Sequence, residues 1–175
     1  GASWTEVKVF TDNLGYTVGR TSHLTGPFNW ASITSNDDGD MLAAVVSGGN
    51  IWTSVDSGAT WTEGAHQGGT TWTSIAMSGK KVWDGAEDHH KLAAVGDGSG
   101  SGDYIYTSED SGRLFSKAKY TCDPGCTHED VEVAFETQVW KSIASDADGS
   151  VLAAVVKNGN IWVKTSGSFW TEDTS

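Results

Sequence analysis

The stretch WASITSNDDGDMLAAVVSGGNIWTSVDSGATWTE, residues 30–63, decides the fold because most of it occurs again as WKSIASDADGSVLAAVVKNGNIWVKTSGSFWTE at residues 140–172. Both copies contain Trp-x-Ser-Ile, Asp-Gly, Leu-Ala-Ala-Val-Val, Gly-Asn-Ile-Trp and Trp-Thr-Glu in the same order. A third copy with longer loops begins at Trp72, and the opening GASWTE matches the last part of a repeat. The chain is therefore predicted to be a repeat protein.

Each repeat predicts four short β-strands. Leu-Ala-Ala-Val-Val is an apolar run too short for a helix, Ile-Trp-Thr-Ser alternates in polarity, and Asp-Gly and Asp-Ser-Gly supply turns. Antiparallel units of four strands that recur about every forty residues are typical of β-propeller blades. The small residues Ala43, Ala44, Ala93, Ala94, Ala153 and Ala154 suit strands crowded near a central axis.

The predicted fold class is an all-β propeller, of which this chain supplies three blades and one strand. Residues 1–28 hold the final strand of a preceding blade and an insertion. The blades occupy residues 29–70, residues 71–138 and residues 139–175, and the middle blade carries a second insertion.

The turn before the fourth strand resembles the Asp-box, or bacterial neuraminidase, repeat of β-propellers such as those of sialidases, sortilin-type receptors and plastid photosystem assembly factors. Residues 54–61 match Ser-x-Asp-x-Gly-x-Thr-Trp fully, residues 108–115 end in Phe instead of Trp, and the third repeat lacks the Asp. In this family the box holds a turn on the rim away from the ligand face. The resemblance therefore implies a structural role for Ser54, Asp56, Gly58, Trp61, Ser108, Asp110, Gly112 and Phe115.

Composition and charge exclude two kinds of partner. The chain has 175 residues, with 11 Lys and Arg against 23 Asp and Glu, which gives a formal net charge of -12. A nucleic acid or an anionic membrane surface needs a basic protein surface. Since no apolar run approaches the roughly 20 residues of a membrane helix, membrane insertion is not expected either.

Cys122 and Cys126 bracket the turn sequence Asp-Pro-Gly, which would bring the two thiols close enough to form a disulfide. A metal pair is the alternative, but four-ligand sites need two more ligands and His128 is the one candidate nearby. We favour the disulfide, which predicts an extracellular location or the lumen of a secretory compartment or organelle.

A sialidase site, as the resemblance implies it, needs three arginines on the substrate carboxylate. The chain contains Arg20 and Arg113 alone, so that clamp cannot be built, and the arginine-rich patch of the plastid assembly factors is also missing. Other glycosidases need two suitably separated carboxylates, and no such pair stands out among the acidic residues. A carbohydrate-active hydrolase is therefore the alternative to a non-catalytic module.

Three acidic segments were considered as metal sites. Residues 36–40 and residues 146–150 resemble the first half of a calcium loop but lack the distant Glu, so hairpin turns explain them more simply. Residues 84–90 gather acidic groups beside His89 and His90, for which we predict solvation rather than ligation. We expect no cofactor and no metal site, with calcium as the one candidate ion.

Two insertions interrupt the repeat at about residues 9–28 and residues 119–138. Both connect one blade to the next, so they should rise from one face of the propeller, where long loops commonly bind ligands. The candidate binding residues are Tyr16, Arg20, His23, His128, Glu129 and Asp130. The expected partner is a protein or a glycan, although the insertions could equally serve to cover blade edges.

Three blades and one strand cannot close a ring, and an open sheet edge invites pairing. The remaining blades are expected either from a longer parent chain or from another subunit. The connections between repeats alternate between long, short and long, which favours an ancestral two-blade duplication and an even number of blades. The predicted function is thus a non-catalytic interaction or structural module within a larger propeller or assembly.

Overall fold

The computed structural model describes residues 28–64, 70–83, 85–97, 105–118, 138–166 and 170–173. Within these ranges, all the secondary-structure elements are β-strands. In the part of the chain so described, no helix is long and apolar enough to cross a membrane.

Three four-stranded antiparallel sheets follow one another along the chain. The first sheet contains, in spatial order, β1 (Trp30–Ser35), β2 (Leu42–Val46), β3 (Ile51–Ser54) and β4 (Thr62–Glu63). Next come β5 (Trp72–Met77) and a separate hairpin of β6 (Val82–Trp83) and β7 (Asp88–His89). In the second sheet, β5 pairs with β8 (Leu92–Gly96), which is followed by β9 (Ile105–Ser108) and β10 (Ser116–Lys117). The third sheet contains β11 (Trp140–Ser145), β12 (Leu152–Val156), β13 (Ile161–Lys164) and β14 (Thr171–Asp173).

Each sheet is an antiparallel meander, and the four recurring sequence segments of the repeat form its four strands in chain order. Trp-x-Ser-Ile forms the first strand and Leu-Ala-Ala-Val-Val or Leu-Ala-Ala-Val-Gly the second. The predicted all-β architecture of four-stranded propeller blades is confirmed. The β6–β7 hairpin was not predicted, because the residues between β5 and β8 have no counterpart in the other two repeats.

The first strand of every blade contains the same irregularity. Its register with the second strand shifts between the Trp and the Ser of Trp-x-Ser-Ile, at Trp30/Ser32, Trp72/Ser74 and Trp140/Ser142. A bulge of this kind bends a strand and increases its twist. The repeated sequence therefore sets not only the strands but also the shape of each blade.

First strands of neighbouring blades lie side by side, with β1 against β5 and β5 against β11. A serine hydroxyl links each pair of neighbouring first strands. Ser32 Oγ accepts the Ile75 N–H at 3.4 Å, and Ser74 Oγ accepts the Ile143 N–H at 3.2 Å. Trp-x-Ser-Ile thus forms the innermost strand. The paired alanines lie on the second strand, one step further from the axis than the first.

The hydrophobic core lies between blades. One cluster joins the first blade to the second and is built from Met41, Ala43, Val45, Ile51, Trp72, Ile75, Met77, Leu92, Ala94, Tyr106 and Phe115. The other joins the second blade to the third and is built from Ala76, Ala93, Val95, Ile105, Trp140, Ile143, Leu152, Ala154, Val156, Trp162 and Trp170. The second blade therefore uses one side of its sheet against the first blade and the other side against the third.

Candidate functional site

The antiparallel meander gives each blade two different ends. The connections β1–β2 and β3–β4, and their equivalents in the other blades, lie at one end, which we call the turn end. The β2–β3 turns and the connections between blades lie at the opposite end, which we call the loop end. The hydrogen-bonding side chains of the repeat concentrate at the turn end. The insertions lie outside the described residues, and the strands that adjoin them in the chain, β10, β11 and β1, end or begin at the loop end.

At the turn end of the first blade, Ser54 and Asp56 organise the connection between β3 and β4. Ser54 Oγ donates to Asp56 Oδ1 at 2.8 Å and accepts the Gly58 N–H at 2.9 Å. Asp56 Oδ1 accepts the Thr60 N–H at 2.8 Å, and Oδ2 accepts the Thr60 hydroxyl at 2.6 Å. These hydrogen bonds lower the pKa of Asp56 below its ordinary value. The Thr60 hydroxyl has the largest effect, and the Thr60 N–H and the Ser54 hydroxyl add smaller ones. Both carboxylate oxygens are therefore occupied in holding the turn.

The second blade repeats this geometry. Ser108 Oγ donates to Asp110 Oδ1 at 2.7 Å and accepts the Gly112 N–H at 2.9 Å, while the Leu114 N–H donates to Asp110 Oδ1 at 2.9 Å. Gly112 has φ of 82°, and Ser111, the residue before it, is also left-handed with φ of 60°. Leu114 has no hydroxyl, so the second carboxylate oxygen lacks the bond that Thr60 gives to Asp56.

The aromatic residue that closes each turn packs differently from blade to blade. Trp61 is half-buried and donates from Nε1 to the Gly58 carbonyl at 3.2 Å, whereas Phe115 and Trp170 are buried in the clusters between blades. Residues 167–169 of the third turn lie outside the described residues. The turns of the first two blades have the geometry of structural connections, since the described hydrogen bonds of Asp56 and Asp110 are made within the turn.

The β1–β2 connections contain an anchor that sequence analysis did not identify. In each blade a side chain accepts the N–H of the residue just before the second strand: Asn36 from Met41, Ser78 from Lys91 and Asp146 from Val151, at 3.0–3.1 Å. Asp146, for which the sequence predicts an ordinary hairpin turn, also accepts the Ser150 hydroxyl at 2.8 Å. Its pKa is lowered, chiefly by the Val151 N–H. Because Asn, Ser and Asp each accept the equivalent N–H, no sequence motif reveals this anchor.

The expectation that His89 and His90 are solvated is wrong, because both side chains are buried. His90 Nδ1 lies 3.1 Å from the Ser78 carbonyl and Nε2 lies 3.2 Å from Asn36 Nδ2, so the neutral ring with its proton on Nδ1 satisfies both contacts. Asn36 Nδ2 also donates to Asp40 Oδ1 at 2.5 Å and lowers the pKa of that carboxyl. A polar chain from Asp40 to Ser78 therefore crosses the boundary between the first two blades.

Within the residues described, no group of three or more His, Cys, Asp and Glu side chains is placed to hold a metal ion. A polar cavity of about 150 Å³ lies between the second and third blades and is lined in part by Lys91, Glu109, Lys164 and Ser166. Ligand pockets usually measure roughly 300–1,000 Å³. The cavity is therefore smaller than a pocket for a sugar chain or a peptide.

Every candidate binding residue of the insertions lies outside the described residues, as do Cys122 and Cys126. The same holds for Arg20, while Arg113 donates to Glu87 at 3.2 Å on the turn end. Among the contacts described at the loop end are two between an Asn and a Glu. Asn50 Nδ2 donates to Glu63 Oε1, and Asn160 Nδ2 donates to Glu172 Oε1 at 2.9 Å, so the β2–β3 turn of the first blade and the β12–β13 turn of the third are each tied to the fourth strand of their blade.

The fold and these turns define the chain as a β-propeller module of four-stranded blades. Comparison with solved structures finds YCF48 from Cyanidioschyzon merolae (TM-score 0.54, 16% identity, 84% of this chain and 38% of that one). It also finds YCF48 bound to D1 peptide (TM-score 0.56, 14% identity, 95% and 46%). A third is the GH74 xyloglucanase from Xanthomonas campestris (TM-score 0.53, 16% identity, 82% and 21%).

These likenesses establish the fold, and the chain spans less than half the length of each of the three solved proteins. No family model and no curated protein matches the sequence.

Proposed function

We propose that this chain is a non-catalytic interaction module of a larger propeller or assembly, which binds a protein partner through the loop end of its blades. The observation that carries the proposal is the separation of the two ends. At the turn end, the side chains of Asp56, Asp110 and His90 are engaged in bonds that hold turns together. We propose that the insertions, which contain aromatic, basic and acidic residues, lie at the other end, because the strands that adjoin them in the chain end or begin there.

Two further features support recognition at the loop end. The Asn50–Glu63 and Asn160–Glu172 contacts fix the β2–β3 turns, so the insertions would stand on a rigid base. One of the similar structures has a peptide bound, which makes a peptide segment a reasonable first ligand to test. The net charge of -12 favours a partner with basic residues.

The test is binding to candidate protein partners and to a glycan array, with the loop-end residues Tyr16, Arg20, His23, His128, Glu129 and Asp130 changed to Ala as two groups of three. We expect each group to weaken binding at least tenfold, because loops on a rigid scaffold carry recognition. The matched control is Asp38→Ala with Asp148→Ala, two exposed acidic residues at the turn end. Loss of binding in the control alone would contradict the proposal.

A glycan that binds through the same six residues would make carbohydrate the ligand of this site. Hydrolysis of a polysaccharide by the purified chain would replace the proposal with the alternative, a carbohydrate-active hydrolase. Unchanged binding in the presence of a chelator is expected, because we propose that neither calcium nor another cofactor takes part.

The proposed location is extracellular or lumenal, and the proposed Cys122–Cys126 disulfide supports it. Intact mass without reductant should be about two hydrogens lower than after reduction. Two thiols that react with an alkylating reagent before reduction would remove this support.

We further propose that the Ser-x-Asp-x-Gly turns belong to the Asp-box class, on the strength of the Ser–Asp–Gly hydrogen bonds that the first two blades share.

A further inference from the structure

The contact between neighbouring blades is made twice within the chain by equivalent residues. The side of a blade that meets the next blade, its trailing face, carries Ala43, Val45 and Ile51 in the first blade and Ala93, Val95 and Ile105 in the second. The side that meets the previous blade, its leading face, carries Trp72 and Ile75 in the second blade and Trp140 and Ile143 in the third. One apolar interface is thus used at both junctions.

The trailing face of the third blade carries the same residues, Ala153, Val155 and Ile161, and no described blade packs against it. Val155 is 37% exposed where its equivalent Val45 is fully buried, and Ile161 is 49% exposed where Ile51 is 1% exposed. Val151 is exposed as well, at the position that Met41 fills in the first junction. Among the described residues, this face therefore exposes the apolar side chains that are buried at the two internal junctions.

The leading face of the first blade shows the complementary pattern. Trp30 is 44% exposed, whereas Trp72 at the same position of the second blade is 1% exposed. Ile33 is 62% exposed, whereas Ile75 is 4% exposed. The Phe28 ring contacts Trp30 at 5.6 Å between centroids and covers part of this face, but Ile33 remains open to solvent.

Polar groups on the two faces also match. At each internal junction the serine of one first strand accepts the N–H of the isoleucine in the next, as Ser74 does for Ile143. Ser142 is exposed at the trailing face of the third blade, and Ile33 lies at the corresponding position on the leading face of the first. By the same register, Ser142 of one molecule could accept the Ile33 N–H of another.

We propose that the trailing face of the third blade binds the leading face of the first blade in a second copy of this chain. One molecule carries both faces of the junction that is observed twice within the chain. A second copy could therefore form the same contacts with each of its exposed faces. Such a head-to-tail contact closes into a ring when the rotation allows it. Two copies, each contributing its three four-stranded sheets, would meet at two identical junctions. This inference does not depend on the partner binding proposed above.

The opposing force is charge, because each copy has a formal net charge of -12. Like charges repel over roughly 10 Å at 0.1 M salt and less at higher ionic strength. The junction itself is apolar, so added salt should strengthen the association by screening. Association that weakens as salt is added would contradict an interface of this composition.

The experiment is sedimentation velocity on the whole 175-residue chain up to about 100 µM, a range that detects micromolar dissociation constants. We expect a concentration-dependent dimer. Ile33→Asp and Ile161→Asp should each raise the dissociation constant about 100-fold, because a carboxylate would be buried in an apolar contact. Val55→Asp, at a 76% exposed position in the first Ser-x-Asp-x-Gly turn, is the matched control and should leave association unchanged.

Mixing the two variants distinguishes a head-to-tail contact from any symmetric one. The I33D copy retains its trailing face and the I161D copy its leading face, so the mixture should form a dimer with one intact junction. Circular dichroism and tryptophan fluorescence establish that each variant is folded, and Ile33→Ser with Ile161→Ser replaces any variant that is not. A chain that stays monomeric throughout the range, an equal effect of Val55→Asp, or no dimer in the mixture would overturn the proposal.

Discussion

The Ser-x-Asp-x-Gly turns of the first and second blades share the hydrogen bonds among their Ser, Asp and Gly but have different surroundings. The second turn packs against the preceding blade: a Cβ at Gly112 would lie 2.9 Å from Thr53 Cγ2, and Phe115 is buried. The first turn has no preceding blade among the described residues, so a Cβ at Gly58 would meet nothing closer than 3.9 Å and Trp61 is half-buried. The turn itself is thus local, whereas its contribution to stability depends on the neighbouring blade.

The largest expected difference concerns the aromatic residue after each turn. Phe115→Ala should destabilise the protein by about 3–4 kcal/mol, because it leaves a cavity in the cluster between the first two blades. Trp61→Ala should cost clearly less, although it removes more atoms, because Trp61 is already half-exposed. Urea unfolding of both variants measures the difference, and an equal or larger cost for Trp61→Ala would break the comparison.

The two glycines test the same contrast through the backbone. Gly58→Ala should cost about 1–2 kcal/mol, the usual penalty of a left-handed conformation, since φ is 86° and space is available. Gly112→Ala should cost about 1 kcal/mol more, because the added methyl must also displace Thr53 of the preceding blade. Thermal unfolding reports the order of the two variants. Gly112→Ala combined with Thr53→Ser is the control, since it removes the obstructing methyl and should bring the two costs together.

The two serines sharpen the local side of the comparison. Ser54 and Ser108 are both buried, and each accepts a glycine N–H while donating to an aspartate. Ser54→Ala and Ser108→Ala should each cost about 1–2 kcal/mol by leaving a buried N–H without its acceptor. The two values should agree despite the different surroundings. A cost confined to one blade, measured by urea unfolding, would show that the turn is not a local unit.

The smallest effect expected is a pH dependence found in the first turn. Since hydrogen bonds lower the folded pKa of Asp56, its contribution to stability is complete above the unfolded value and disappears as pH falls through the folded pKa. Thr60→Leu, which copies Leu114 of the second turn, removes the largest cause of that shift. Its destabilisation relative to the parent should be full near neutral pH and should shrink below about pH 3.8.

Urea unfolding at neutral and acidic pH, with an NMR titration of the Asp56 carboxylate, measures this effect. Thr62→Leu is a control at an exposed position in β4, outside the turn. A Thr60→Leu effect that stays constant across the acidic range would mean that the hydroxyl acts by packing and not through the carboxylate.

The repeat was sufficient to predict the strands, because Trp-x-Ser-Ile, Leu-Ala-Ala-Val-Val and the turn sequences recur in the same order and each fits one strand of a meander. The β6–β7 hairpin could not be predicted in this way, since the residues around Trp83 and Asp88 occur once. Their polar composition predicts a solvated loop. The structure shows that His89 and His90 are both buried and that His90 contacts Asn36 of the first repeat.

The candidate site was less accessible from sequence than the fold. The anchor formed by Asn36, Ser78 and Asp146 depends on position and not on residue type, so no motif reveals it. The insertions are identified in the sequence because they have no equivalent in the other repeats. Their residues remain predictions, as does the Cys122–Cys126 disulfide, and neither periodicity nor turn chemistry specifies how such segments are arranged.

The contact between Asn36 and His90 has an evolutionary consequence. The amide of Asn36 serves two partners at once, donating to Asp40 and lying against the ring of His90 in the following blade. An aspartate at this position, as the third repeat has in Asp146, would place two carboxylates together and would remove the N–H that Asn36 presents to His90 Nε2. Asn36 and His90 are therefore expected to vary together among descendants of this sequence. The first and third blades are therefore not interchangeable at this junction despite their similar sequences, since exchanging them would put Asp146 in place of the Asn36 that contacts His90.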